Sequence, residues 1–199
     1  MKSIASALLL ATILNSGAAA AAPRLQTLPG KHETARTVAL GADVACTPAQ
    51  SYAMWTTESG VRSFFAPGAH IDGNVGGRYT IMFFPAEDPE GLVHGTAGAH
   101  LLAADPGRFL AFEWVTFAGD DTKGQNAPPF APPAMRLPDP LPTWVEIALT
   151  PAGAGTHVEF RHYGFGDGAL WGRSHAWFGR AWAGVLEQMR AACQRGARP

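Results

Sequence analysis

The chain has 199 residues and a mass of 21.0 kDa, a length that favours one domain or at most two small ones. Because 47% of the residues are hydrophobic and only 16% are charged, there is enough apolar material for a core, which excludes disorder and coiled coil as descriptions of the whole chain. The 15 Lys and Arg residues nearly balance the 16 Asp and Glu residues, and no run of like charge occurs. Neither nucleic acid nor an anionic membrane surface is therefore expected as a partner.

Residues 1–22 have the pattern of a cleavable signal peptide. Lys2 supplies a positive start, a short apolar stretch runs from Ile4 to Leu14, and small residues follow. The apolar stretch is too short to span a bilayer, and no second one follows it. We expect export to the periplasm or the medium, with no integral membrane segment after processing; the alternative is an apolar helix that stays attached as an anchor.

The chain has two cysteines, Cys46 and Cys193, near opposite ends of the expected mature protein. In an oxidising compartment they are candidates for a disulfide that closes a long loop. The alternative is a pair of separate buried thiols, each behaving as a small hydrophobic side chain.

The first half of the mature chain predicts a strand followed by two short helices. Residues 23–36 form a polar lead-in, and the alternation over residues 37–45 predicts a strand. Thr47 and Pro48 have the residue types of an N-cap and a first helical position, so a helix is expected through Trp55, with another helical turn over residues 61–65.

The second half predicts a meander of strands before one long helix. Strands are expected at 78–84, 92–103, 109–117, 143–150 and 157–163, with a proline-rich loop at 118–142 between the third and the fourth. At 100° per residue, an apolar stripe then extends along a terminal amphipathic helix through Trp171, Phe178, Trp182, Val185, Met189 and Cys193. An antiparallel sheet with one apolar face requires a cover, which predicts an α+β architecture with this helix on a curved sheet.

Several motifs in this order resemble the START-like (SRPBCC) superfamily, and within it the activator of heat-shock-protein-90 ATPase-like branch. The stretches that carry the resemblance are Thr47 to Thr56, Phe64 to Pro67, Gly76 to Tyr79, Gly98 to Pro106, Phe112 to Trp114, Leu149 to Gly166, and Trp182. The resemblance implies a domain over residues 37–195 with a helix-grip fold, a curved antiparallel sheet wrapped around the C-terminal helix. It implies no catalytic residue, and activation of a chaperone is not expected.

In many members of that superfamily a hydrophobic cavity between the sheet and the helix holds the ligand. The residues expected to line such a cavity here are Tyr79, Phe83, Phe112, Trp114, Trp144, His162, Trp171, Phe178 and Trp182. The alternative is that these side chains simply fill the core. Trp177 lies off the apolar stripe, and an exposed Trp there is typical of a cavity mouth or a partner surface.

Polar candidates are few. By parity, His162 faces the interior with Val158 and Phe160, where it is a weak candidate for anchoring a ligand or for acid–base chemistry; the alternative is a structural histidine. Glu113 and Glu146 are expected to face solvent. Neither His94 with His100 nor His157 with His162 has the spacing of metal ligands, so we expect no metal and no cofactor.

Three functions remain compatible with the sequence. The first is binding of a small hydrophobic molecule, lipid- or polyketide-like, oriented by His162 or Tyr79, with the 118–142 loop controlling entry. The second is an enzyme of the polyketide-cyclase or dehydratase kind, which requires an acid or base in the cavity. The third is a non-enzymatic domain that contacts another envelope protein, which predicts a filled interior and an exposed apolar patch near Trp177.

Overall fold

A computed structural model describes residues 26–27, 36–92, 94–114, 143–166 and 169–196. Their elements are β1 (Gln26–Thr27), β2 (Val38–Val44), α1 (Pro48–Thr56), α2 (Glu58–Phe64), β3 (Gly68–Ile71), β4 (Tyr79–Met82), β5 (Leu101–Asp105), β6 (Phe109–Trp114), β7 (Thr143–Ala152), β8 (Gly155–Tyr163) and α3 (Ala169–Gly196). Six strands form an antiparallel sheet in the order β1-β2-β8-β7-β6-β5, and β3 pairs with β4.

Backbone hydrogen bonds join the two sheets into one curved surface. The amide of Tyr79 donates to the carbonyl of Ala99 at 2.8 Å, and the amide of Leu101 donates to Gly77 at 2.9 Å. The sheet therefore continues past β5 into β4 and β3, while α3 packs across its concave face. This confirms the α+β helix-grip architecture.

The start of α1 and its junction with α2 follow from local sequence. Thr47 caps α1 in a capping box: its hydroxyl accepts from the Gln50 amide, and the Gln50 side chain accepts from the Thr47 amide. The hydroxyl of Thr57 caps α2 by accepting from the amide of Gly60 at 3.0 Å. A Cβ at Gly60 would lie 2.2 Å from the carbonyl oxygen of Ala53, so only glycine lets the two helices approach this closely.

The central hairpin, β7–β8, separates an apolar face from a polar one. Along β7, Val145, Ile147 and Leu149 are buried, whereas the residues between them are half-buried. On β8, Phe160 pairs with Ile147 and His162 with Val145, so both lie on the same inner face. The alternation along β7 is what a sheet with one covered face requires.

The buried side of α3 departs slightly from the predicted stripe. Phe178, Trp182, Met189 and Cys193 are buried as expected, but Leu186 is fully buried whereas Val185 is only half-buried. The buried positions from 178 to 186 are spaced by four residues, and this spacing turns the contact line by about 40° per step on an ideal helix. Because the line of buried positions turns in this way along the curved sheet, residue 186 lies in the interior.

The strand prediction at 92–103 is wrong over most of its length, because β5 begins only at Leu101. The Asp88 carboxylate accepts hydrogen bonds from the amides of Leu92 and His94, and Gly91 and Gly98 have φ values of +66° and +89°. These contacts hold the chain in turns, a conformation that glycine adopts without strain. The short strand β3 was not predicted, since its four residues, GAHI, are too few to show an alternation.

Several predicted features lie outside the described residues. They are the signal peptide at 1–22, the loop at 118–142 and most of the lead-in at 23–36, of which Gln26–Thr27 forms β1. Among the helices that the structure does describe, none is both long and apolar enough to cross a bilayer.

Candidate functional site

Aromatic side chains from the sheet and from α3 meet on the concave side of the sheet. Tyr79 of β4 stacks on Phe112 of β6, with ring centroids 4.2 Å apart. Trp114 contacts Trp182 at 4.7 Å and Phe178 at 6.5 Å. Five of the side chains expected from the sequence to line a cavity thus come together in one cluster, which we call the aromatic interior.

Aromatic residues that the sequence analysis did not select complete this interior. Trp55 of α1 is fully buried and lies 6.3 Å from both Phe112 and Phe160. Phe65, at the end of α2, lies 5.5 Å from Trp182. Phe160 lies two residues before His162 on β8 and therefore on the same face of the strand. That spacing is the sequence signal that could have identified it as a lining residue. The positions of Trp55 and Phe65 depend on how short helices pack, which the sequence pattern does not specify.

Two of the other predicted lining residues, Phe83 and Trp171, are placed differently. Phe83 is half-buried and contacts Phe65 at 5.8 Å. Trp171 is half-buried beside Phe165, with its indole against Gly166, where a Cβ would lie 2.6 Å from the indole nitrogen. Both lie at the margin of the aromatic interior.

Trp144 lies on the opposite face of the sheet, which corrects its expected position. Its ring stacks on Tyr163 at 5.3 Å, and its indole N–H donates to Glu146 at 3.2 Å. The alternation of β7 places residues 144 and 146 together on this outer face. Burial and the neighbouring Glu146 carboxylate raise the pKa of Tyr163.

Glu113, Glu146 and Trp177 are the other side chains that the sequence analysis expects on the outside. The Glu113 carboxylate lies 2.8 Å from His100 Nδ1, within hydrogen-bond distance, and Glu113 lies, like Glu146, on the outer side. Trp177 is half-buried, with its ring 4.9 Å from that of Phe178, so it is less exposed than expected. In the part of the chain that the structure describes, no three His, Cys, Asp or Glu side chains are grouped as metal ligands would be.

His162 is fully buried within the aromatic interior. Its Nδ1 accepts a hydrogen bond from the Trp182 indole at 3.0 Å. Since a neutral imidazole carries one proton, that proton is on Nε2, which has no hydrogen-bond partner. The rings of Phe165 and Phe178 lie 4.6 and 5.0 Å away. His162 therefore presents an unused N–H donor to apolar surroundings.

The charge state of His162 follows from this burial. Desolvation, assisted by the nearby His175, lowers the pKa of His162 to about 3. At neutral pH the ring is uncharged and is a poor proton acceptor, which disfavours the acid–base role considered above. What it offers instead is a fixed hydrogen-bond donor.

Cys46 and Cys193 are joined by a disulfide, with their Cα atoms 5.1 Å apart. The bond links the segment after β2 to the last turns of α3, across a sequence separation of 147 residues. The Met54 sulfur lies 3.7 Å from Cys46 Sγ and 3.5 Å from Cys193 Sγ, so the bond packs against α1. The C-terminal half of α3 is thereby fixed on the sheet.

A cleft of about 370 Å³ opens between the end of α2 and the C-terminal half of α3. Its lining includes Arg62, Phe64, Phe65, Gln188, Ala191 and Arg195. Phe65 lines this cleft and also contacts Trp182, so its ring separates the cleft from the aromatic interior. The sequence analysis did not predict the cleft, because α2 and α3 are far apart in the chain.

Solved structures with the same fold come from several bacteria. Protein MLL2253 from Mesorhizobium loti is 19% identical, with a TM-score of 0.57 over 82% of this chain and 100% of that one. The Aha1 dimer from Colwellia psychrerythraea is 15% identical, with a TM-score of 0.54 over 81% of this chain and 98% of that one. DynU16, from the dynemicin biosynthetic locus, is 14% identical, with a TM-score of 0.57 over 81% of this chain and 48% of that one. At these identities the likeness concerns the fold alone.

Sequence comparisons identify the family but no curated relative. Among curated proteins, none matches this chain significantly. The family described as "Activator of Hsp90 ATPase homolog 1-like protein" matches residues 45–194, which comprise the two short helices, most of the sheet and nearly all of α3. This chain therefore belongs to the activator of Hsp90 ATPase homolog 1-like family, within the SRPBCC type of helix-grip domains.

Proposed function

We propose that this protein binds a small hydrophobic molecule, of lipid or polyketide type, between the curved sheet and α3. The observation that carries the proposal is the unused N–H of His162. A buried donor without a hydrogen-bond partner destabilises the folded protein by roughly 1–3 kcal/mol. The Nε2–H group of His162 is such a donor. An apolar ligand with an acceptor atom removes that cost and gains contact with the surrounding rings.

The composition of the aromatic interior also supports small-molecule binding. Ligand sites are mostly apolar and contain a few polar groups that fix orientation. Here aromatic rings surround His162, and the buried Trp55 has an indole N–H that is likewise without a partner. The rings are in mutual contact, so a ligand displaces some of them on entry.

The cleft beside Phe65 is the proposed route to the interior. Its volume of about 370 Å³ lies within the ~300–1,000 Å³ usual for small-molecule sites. Phe65 is only half-buried, and rotation of its ring opens the cleft toward Trp182. Entry by this route requires no change in the sheet.

One solved structure with the same fold, DynU16, is described as a putative protein in the dynemicin biosynthetic locus. That context is compatible with ligand binding by this chain. Since His162 is uncharged at neutral pH, we propose binding rather than cyclase-type acid–base catalysis. The third alternative, an interaction domain, predicts a permanently filled interior and is separated from ligand binding by the first experiment.

That experiment is native mass spectrometry of the protein purified from its own host, beside denatured spectra of the same sample. An apolar adduct that is present in the native spectrum and absent after denaturation is the expected result. The bare mass in both spectra, together with failure to bind 2-ethylnaphthalene by titration calorimetry, contradicts ligand binding and favours the interaction domain.

The entry route is tested with matched tryptophan substitutions on α3. Ala191 lines the cleft, so Ala191→Trp is expected to fill it and to slow both association and dissociation of 2-ethylnaphthalene by about tenfold or more, with little change in affinity. Ala176 is exposed on the same helix, and Ala176→Trp is expected to leave both rates unchanged. Stopped-flow measurement of the naphthalene fluorescence gives the rates, and equal association rates for the two variants would show that the ligand enters elsewhere.

We also propose that the protein is exported. Residues 1–22 have the pattern of a signal peptide, and a disulfide between Cys46 and Cys193 is typical of an oxidising compartment. Cell fractionation followed by mass analysis of the intact chain tests this. The expected product is extracytoplasmic, starts near residue 23 and is two hydrogens lighter than the reduced form; a full-length chain in the cytoplasm contradicts export.

A further inference from the structure

Buried polar atoms without partners gather where β8 ends and α3 begins. Besides His162 Nε2, they are Ser174 Oγ and His175 Nε2. The rings of His162 and His175 lie 4.6 and 5.2 Å from the ring of Phe165. Ser174 is 4% exposed and lies one helical turn before Phe178, which contacts His162 at 5.0 Å. We call the group of His162, Ser174 and His175 the histidine pocket.

The hydrogen-bonding chemistry of the histidine pocket favours an acceptor. Because Trp182 donates to Nδ1, His162 carries its proton on Nε2 and has no lone pair there for a metal ion. The Ser174 hydroxyl rotates and donates equally well, and His175 Nε2 is a donor in one of the two neutral tautomers. An oxygen with two lone pairs, such as a carbonyl, can accept from two donors of this kind.

The surroundings favour an uncharged group. The rings closest to His162 are those of Phe165, Phe178 and Trp182, and His162 itself is neutral. A carboxylate moved among these rings loses its hydration, which is more costly than burying a carbonyl. The guanidinium of Arg36 lies beside Gly172 on the first turn of α3.

We propose that the histidine pocket binds an uncharged carbonyl oxygen of the ligand, with His162 Nε2–H as the principal donor and Ser174 as the second. This inference rests on the proposed function and specifies its ligand class: an apolar molecule with a ketone or ester group at one end. The His162–Trp182 hydrogen bond then has a defined task, since it keeps the imidazole in the tautomer that donates.

The test uses three naphthalene probes of similar shape in titration calorimetry with the full mature protein. They are 2-acetylnaphthalene, which has a carbonyl, 2-ethylnaphthalene, which lacks it, and 2-naphthoate, which is charged. One good hydrogen bond to a buried donor is worth ~1.4 kcal/mol, so the ketone is expected to bind about tenfold more tightly than the ethyl compound. The naphthoate is expected to bind most weakly.

Two variants attribute that preference to the histidine pocket. His162→Phe keeps an aromatic ring and removes the donor, so it should abolish the tenfold preference for the ketone while retaining the ethyl compound. If this variant does not fold, Ser174→Ala serves, with an expected loss of a few-fold for the ketone alone. His94→Phe is the matched control, because His94 Nδ1 is also buried without a partner but the ring packs on Phe84, away from the pocket.

A direct readout is the ¹³C signal of 2-acetylnaphthalene labelled at the carbonyl, which moves downfield when the oxygen accepts a hydrogen bond. The shift should be present with the unmodified protein and lost with His162→Phe. If no probe binds, both the proposed function and this inference fail. If ketone and ethyl compound bind equally, ligand binding stands and the carbonyl assignment fails. Tighter binding of naphthoate overturns the uncharged assignment and points to Arg36.

Discussion

The two halves of α3 pack on the same curved sheet but differ in chemistry. The C-terminal half buries Leu186 and Met189 and is tied down by Cys193, whose disulfide packs on Met54. Toward its N-terminus, α3 buries Ser174 and contacts His162, and several of the polar atoms there have no partner. The C-terminal half therefore contributes buried apolar side chains and a disulfide that stabilise the fold. The N-terminal half retains polar atoms without hydrogen-bond partners, which is typical of a site that binds a ligand.

Removal of the disulfide should have the largest effect on the stable half. For a loop of this size, the chain-entropy argument assigns ~4–5 kcal/mol to the bond, since it joins residues separated by 147 positions. We expect the Cys46→Ala/Cys193→Ala double variant to unfold at a much lower urea concentration. Where it remains folded, it should bind 2-acetylnaphthalene as the unmodified protein does, because the histidine pocket lies toward the other end of α3.

A double variant that keeps its stability and loses ligand binding would contradict this division of α3 into a stabilising half and a binding half. That outcome would mean that the disulfide shapes the site instead of holding the helix. Denaturant unfolding followed by circular dichroism, in parallel with titration calorimetry on the same samples, distinguishes the two effects.

A smaller loss of stability is expected from neighbouring positions within that half. Leu186 is fully buried and Val185 only half-buried. Leu186→Ala should therefore lower the free energy of unfolding by about 3 kcal/mol through lost burial and a cavity. Val185→Ala should cost about 1 kcal/mol or less, because it removes a smaller and partly hydrated surface. Equal losses in urea titrations would contradict the observed packing and favour the stripe expected from the sequence.

The regular elements could be predicted because local signals specify them. The Thr47–Pro48 cap, the alternation of β8 and the periodicity of α3 each place side chains by geometry within a single element. The architecture then followed, since an antiparallel sheet with one apolar face requires a helix to cover it.

The candidate site could be predicted only in part. Trp144 was assigned to the interior because it is aromatic, although the alternation of β7 opposes that placement. Trp55 and Phe65 were missed, since their positions depend on the close approach of α1 and α2 at Gly60. The unpaired Nε2 of His162 depends on the Trp182 hydrogen bond, a contact between distant segments that no local pattern encodes.

The pH dependence of stability tests the site beside the N-terminal half of α3, where His162 is buried. Burial, with a further contribution from His175, lowers the pKa of His162 to about 3, below its usual 6.5. Between these values the unfolded chain binds a proton that the folded chain does not, so acid favours unfolding. The contribution of neutral His162 to stability is fully present above about pH 6.5 and is lost as the pH falls toward 3, by ~1.4 kcal/mol per pH unit.

Going from pH 7 to pH 5, the unmodified protein should therefore lose about 2 kcal/mol more unfolding free energy than His162→Phe, whose residue 162 does not titrate. Urea unfolding at the two pH values measures this difference directly, and groups that titrate in both proteins cancel. Equal losses would mean that His162 is hydrated or already paired in solution. The histidine pocket would then lack the donor that the proposal makes its principal one, and the contrast between the two halves would rest on Ser174 and His175 alone.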